Sequence, residues 1–193
     1  MSKPQLVLDL AGVIVSNFSK MLWRNIGLNV SFEEFIKALM EVKTDLWTGK
    51  LSENEYCQWL RKFAPTIDKE RLRACIREDL VYLPAANRLE VWSKLADLHL
   101  LSNHREEWID YALEPFRSLF TSITISSSVG CCKPQEDIYR LVQSHLITMD
   151  NVTFVDDQEK NLATARQLGW NTVLADQEGR WIDTIEQHLR VRV

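Results

Sequence analysis

The stretch LVLDLAGVIV, Leu6 to Val15, decides the fold. Its first residues form an apolar strand, read as Leu6 to Leu10, that carries one carboxylate, Asp9, near its tip. The chain then turns through Leu10-Ala11-Gly12. A single acid at the end of an otherwise buried strand is a place for chemistry, and the residues at the ends of the later strands test that idea.

Beyond this strand the rhythm becomes helical for about seventy residues. A short helix is expected around Ser19 to Ile26. Ser31 opens a capping box, S-F-E-E, with Glu34 three residues on. Phe32, Phe35, Ile36, Leu39 and Met40 then mark one apolar face. Ser52 opens a second box with Glu55, then come Tyr56, Trp59, Leu60 and Phe63, and Pro65 stops that helix. A further helix is expected over 66–80. After Pro84, helices and apolar strands alternate: helices at 87–95, 105–113, 137–146, 159–168 and 181–189, and strands at 98–101, 122–125, 152–155 and 171–174. That alternation predicts an α/β fold, a Rossmann-like parallel sheet with helices on both faces. The helical block lies between the first strand and the rest, so it reads as an insertion: a core of 1–15 and 86–193 with a helical domain of 16–85.

Bulk properties narrow the function. With a net charge of −4 and scattered Lys and Arg, no basic field draws in nucleic acid. No apolar run approaches membrane-spanning length and no secretory leader pattern opens the chain, which predicts a cytoplasmic protein. Cys57, Cys75, Cys131 and Cys132 lack C-x-x-C spacing and read as reduced thiols. His99, His104, His145 and His188 form no ligand motif.

In doubly wound sheets, ligands bind outside the carboxyl ends of the strands. Here those ends carry Asp9, then Ser102 and Asn103, then Lys133-Pro134 after a serine run, then Asp156 and Asp157 with Asn161 beyond. Two acidic positions converging from neighbouring strands repel unless a cation lies between them. Mg²⁺, a hard ion that prefers oxygen ligands, fits that role. A hydroxyl, an amide and a lysine can hold the oxygens of a phosphoryl group, and a carboxylate beside it can act as nucleophile.

These motifs, DLAGV at 9–13, LSN at 101–103, KP at 133–134 and VDDQEKN at 155–161, resemble the haloacid dehalogenase superfamily of hydrolases. SSSVGCCKPQEDIYR (126–140) and FVDDQEKNLATARQLGW (154–170) are most similar to the subgroup of epoxide-hydrolase N-terminal phosphatases and glucose-1-phosphate phosphatase. The resemblance implies a Mg²⁺-dependent phosphatase acting on a small phosphorylated metabolite, with the inserted helices as a cap. It assigns Asp9 as nucleophile and metal ligand, the Ala11 backbone carbonyl and Asp157 as further metal ligands, and Asp156 and Asn161 as support for the metal shell. Ser102 and Asn103 would hold phosphate, and Lys133 would bridge phosphate and nucleophile. Neither the identity of the metabolite nor an oligomeric state emerges from the motifs.

The resemblance breaks at Ala11, where most phosphatases of this family carry a second Asp that protonates the leaving oxygen. Loss of such acid–base help costs roughly 10²–10⁴ in rate. The chain therefore reads as a slow phosphatase or as a silent module that binds a phosphorylated ligand or a protein; His104 is a candidate replacement acid. Dehalogenation fits less well, because Ala11 does not match the aromatic usual in dehalogenases. In the inserted segment 45–56, Trp47 is a candidate to stack on a substrate and Lys50 to meet a second anionic group, set against a plain helix end closed at Gly49. Asn17, Phe18, Trp23 and Arg24 are further candidates for the entrance, with core packing the better reading of Phe18 and Trp23.

Overall fold

The computed structural model describes residues 3–176 and 178–190. Strand β1 (Gln5–Leu8) is succeeded by four helices: α1 (Lys20–Ile26), α2 (Phe32–Trp47), α3 (Glu53–Leu60) and α4 (Lys69–Asp79). A 3-10 turn at Pro84–Arg88 leads into the alternating part: α5 (Leu89–Leu95), β2 (Asp97–Ser102), α6 (Glu106–Leu113), β3 (Phe120–Ile125), α7 (Ser126–Val129) and α8 (Glu136–Gln143). It closes with β4 (Val152–Asp156), α9 (Glu159–Gln167), β5 (Asn171–Leu174) and α10 (Trp181–Arg190).

The five strands form one parallel sheet in the order β3-β2-β1-β4-β5. β1 is central, and the chain reverses its direction of travel across the sheet between β1 and β4. That is the switch point where a crevice opens at the carboxyl ends. Leu8 pairs with Leu100 on one side and Val155 on the other, so Asp9 emerges beside Asp156. Period-two alternation divides the strands between two cores. Leu6, Leu8, Leu98, Leu100 and Val155 belong to a large core that continues into the inserted helices through Phe35, Tyr56 and Leu60. Val7, Leu101, Val152 and Phe154 face the opposite way, under Ile138, Tyr139 and Leu162 of α8 and α9.

Both capping boxes form, Ser31 with Glu34 and Ser52 with Glu55. Some boundaries move for local reasons. β1 ends at Leu8, the Asp9 NH still donates to the Val155 carbonyl, and the chain then leaves the sheet at Leu10, whose carbonyl accepts from the NH groups of Ile14 and Val15 and closes a turn. The helix expected from 66 begins at Lys69, since the Asp68 side chain accepts from the Arg71 NH and caps it. Met40 leaves the apolar face of α2 and is 62% exposed, because it borders a cavity at the carboxyl end of the sheet. Among the described residues no helix is long and apolar enough to cross a membrane.

Candidate active site

Asp9 is 5% exposed at the end of β1. Its Oδ1 accepts from the Leu10 backbone NH at 2.7 Å and from Lys133 Nζ at 2.8 Å. The same ammonium donates to Asp156 Oδ2 at 2.7 Å and to the Leu101 carbonyl at 3.0 Å. One lysine, brought in by the loop between α7 and α8, thus ties the ends of β1, β2 and β4 together. Asn103 fixes that loop. Its side-chain amide donates to the Lys133 carbonyl and its oxygen accepts from the Lys133 NH, both at 2.8 Å.

Asp156 is fully buried and saturated. Asn161 Nδ2 donates to both of its oxygens at 2.9 and 3.0 Å, and the Gln158 NH donates to Oδ1 at 2.8 Å. Tyr139 holds the Asn161 carbonyl through its hydroxyl at 2.9 Å. Asp157 points elsewhere, against the turn after β1. Its Oδ2 accepts from Asn17 Nδ2 at 2.8 Å, while its Oδ1 is buried with no partner. Gly12 makes room for it: φ there is +80°, and a Cβ would lie 2.4 Å from Asp157 Oδ2.

Oxygens of Asp9, Asp156 and Asp157 lie within 4.8 Å of one another. Three carboxylates against one ammonium leave excess negative charge in a buried place. Burial, together with Asp156 and Asp157, holds the Asp9 carboxyl well above its usual range despite Lys133. For Lys133 burial opposes the charge, but Asp9 and Asp156 outweigh it and raise its pKa. A hard divalent cation fits this donor set, which is all oxygen and includes one orphaned carboxylate oxygen. Asp9 and Asp157 would hold it.

Above these groups lies a cavity of about 420 Å³. Of the residues singled out by sequence, Asp9, Ala11, Asn103, Lys133, Asn161, His104, Trp47, Asn17 and Phe18 line it. Asp157 and Asn17 line an adjoining cleft on the far side of Gly12. Ser102 is wholly buried at the end of β2, and its hydroxyl has no hydrogen-bond partner. Trp23 packs in the core, and Lys50 is exposed outside the cavity. The cation that the insertion does present is Lys43. Met40, Lys43, Thr44 and Trp47 fall on one face of α2 and roof the site, which is why Met40 is exposed. That i, i+3, i+4, i+7 stripe was present in the sequence, but the apolar residues along α2 obscured it.

His104 lies edge-on to Phe18 and tilted against Trp47, with ring centroids 5.2 Å away in both cases. Burial and the nearby Lys133 push its pKa down to about 3, so it is neutral at pH 7 and carries no proton to give as an imidazolium. Its Nδ1 is buried without a partner. The insertion is anchored beside this cluster. Glu53 accepts from Arg73 Nε and Nη2 at 2.8 and 2.6 Å and from Trp108 Nε1 at 2.8 Å, and Arg105 donates to the Leu51 carbonyl at 2.6 Å. No local pattern singled out Glu53, which sits in a capping turn where an acid ordinarily faces solvent.

No curated protein matches the chain. Among solved structures it is similar to a HAD-like family hydrolase of Porphyromonas gingivalis, with a TM-score of 0.79 at 26% identity over 98% of this chain and 99% of that one. A HAD family enzyme of Bacteroides thetaiotaomicron, in complex with magnesium and inorganic phosphate, gives 0.78 at 20% identity over 93% and 98%. The HAD-hydrolase YfnB of Bacillus subtilis, bound to magnesium, gives 0.61 at 13% over 90% and 87%. Residues 6–169 match the model of the haloacid dehalogenase-like hydrolase family, from β1 through the end of α9, and the chain belongs to that family.

Proposed function

We propose that this protein is a Mg²⁺-dependent, phosphatase-like hydrolase that acts on a small phosphorylated metabolite through an aspartyl-phosphate on Asp9. The observation that carries the reading is the convergence of Asp9, Asp156 and Asp157 within 4.8 Å beside the Lys133 ammonium, under a cavity large enough for a metabolite. The magnesium and phosphate held by the Bacteroides relative support the same chemistry here.

The metal, when bound, offsets the repulsion between the carboxylates and an incoming phosphoryl group. Lys133 neutralises charge on the transferring oxygens, and Ser102, buried below the cavity with an unpartnered hydroxyl, would donate to one of them. Asn103 orients the lysine loop. A carboxylate oxygen of Asp9 forms a bond to phosphorus while the ester P–O bond breaks. The leaving oxygen takes its proton from water, because Ala11 offers none. Water then adds to the phosphorus of the aspartyl-phosphate, releasing phosphate and restoring Asp9.

A second reading rests on Ala11. With a methyl group lining the cavity where an acid would stand, the chain can act as a phospholigand-binding or interaction module without turnover. Among relatives, an aspartate-to-alanine variant of the Bacteroides enzyme also holds magnesium and inorganic phosphate. Turnover of a phosphomonoester panel with Mg²⁺ separates the two. The enzyme reading expects slow hydrolysis that is lost in Asp9→Asn, and a gain of about 10²-fold or more in Ala11→Asp. Turnover unchanged in Asp9→Asn contradicts the nucleophile. No turnover in the wild type, with phosphate still bound, selects the second reading.

A further inference from the structure

Two of the three lysines that line the cavity have no task in the phosphoryl chemistry. Lys43 comes from α2 in the insertion and Lys160 from the first turn of α9 in the sheet domain, so they approach the cavity from its two walls. Neither makes a salt bridge or side-chain hydrogen bond among the described residues. The only acid among the lining residues is Asp9, and Lys133 already engages it. Lys43 is half-buried. Burial, and after it the like charge of Lys160, lower its pKa. Two ammonium groups lining one cavity without a counter-ion repel each other in the free protein, and an anion bound by both removes that cost. Gln135 and Gln158 also line the cavity and add neutral amides, which suit a charged oxygen group and repel none.

We propose that Lys43 and Lys160 form a second anion subsite, so that the substrate carries a carboxylate or a second phosphate on the part that leaves. The inference rests on the phosphatase reading for the placement of the first phosphoryl group. The subsite draws on both domains, so a doubly anionic ligand ties the roof to the floor, whereas a simple phosphate ester touches the floor alone. Such a ligand also brings a leaving group of its own charge, held by two cations, into a site that lacks an acid at Ala11.

Binding of non-hydrolysable phosphonates to the Mg²⁺-loaded protein, measured by calorimetry, tests this. Propyl- and butylphosphonate are compared with 3-phosphonopropionate and 4-phosphonobutyrate, and with the 1,3- and 1,4-bisphosphonates of the same chains. At one chain length or more, the doubly anionic ligand is expected to bind at least about tenfold tighter than its alkyl match. Lys43→Met and Lys160→Met are each expected to collapse that ratio toward one, and Lys50→Met, outside the cavity, to leave it intact. If Lys43→Met fails to fold, the exposed Lys160→Met carries the test. A gain for carboxylates alone identifies the second group as a carboxylate, and a gain for bisphosphonates alone as a phosphate. If alkylphosphonates bind and no second anion helps, or if the ratio survives both lysine changes, the subsite is wrong and the phosphatase reading stands. If no phosphonate binds at all, both fall.

Discussion

Asp157 illustrates how much of the site depends on what a residue lacks. Its carboxylate occupies the space a side chain at position 12 would fill, and Asn17 holds one of its oxygens there. Gly12→Ala therefore meets two obstacles. A non-glycine residue in the left-handed region costs about 1–2 kcal/mol, and the new methyl displaces Asp157. The expected outcome is a modest loss of stability, with a much larger loss of the thermal stabilisation that Mg²⁺ gives the wild type; an unchanged Mg²⁺ shift would contradict Asp157 as a ligand. Asp9, Lys133, Asp156 and Asn161 were legible from sequence, because each sits at a strand end, in the loop beyond one or a helical turn further on. Asn17 was named only as an entrance residue. Its bond to Asp157 spans 140 positions, and no local pattern encodes a contact of that separation.

At the scale of elements, the strands were the most readable parts, since apolar runs bounded by turns leave few alternatives. What sequence did not convey was a polar seam across three of them. His99 in β2 is fully buried, with Nδ1 2.7 Å from Ser122 Oγ in β3 and Nε2 3.1 Å from Gln5 Oε1 in β1. Gln5 Oε1 also accepts from the Ile147 NH, so it faces the ring as an acceptor and Nε2 carries the proton. The imidazole is thus satisfied when neutral, and burial lowers its pKa to about 4. Below its ordinary pKa of about 6.5 the unfolded chain binds a proton that the folded chain does not. Stability must then fall as pH drops from about 6.5 toward 4, by about 1.5 kcal/mol between pH 6.5 and 5 from this group. Denaturant titrations of His99→Asn should have a flatter slope over that range by this amount. His104, buried and neutral as well, leaves a residual slope in the variant. Equal slopes would mean that His99 is not the buried neutral group the seam requires.

For the whole molecule, the question is how the inserted helices sit on the sheet domain. Periodicity predicts four helices between the first strand and the rest, but it is silent on their seating, which depends on polar pairs between distant segments. Glu53, buried in the first turn of α3, accepts from Trp108 in α6 across that boundary. Arg105 reaches back to the Leu51 carbonyl, and the left-handed Gly49 lets its backbone approach so closely that a Cβ would lie 2.4 Å from the Ser127 carbonyl. Glu53→Ala strands the Trp108 NH and removes both bonds to Arg73. A loss of about 2–4 kcal/mol is expected in urea unfolding, with faster proteolysis within the insertion. A change below about 0.5 kcal/mol would show that apolar packing alone holds the two parts together.

At the sheet's switch point, the buried acids and the lysine must work together as a cation and phosphoryl site if the proposed chemistry is to run at all. Crystals soaked with Mg²⁺ and beryllium fluoride test this directly. The expected map places one Mg²⁺ between Asp9 and Asp157, and a fluoroberyllate bonded to an Asp9 carboxylate oxygen with a fluorine against Lys133. A magnesium site away from Asp9, or full occupancy of the metal with the fluoroberyllate absent from Asp9 and found elsewhere, would contradict it.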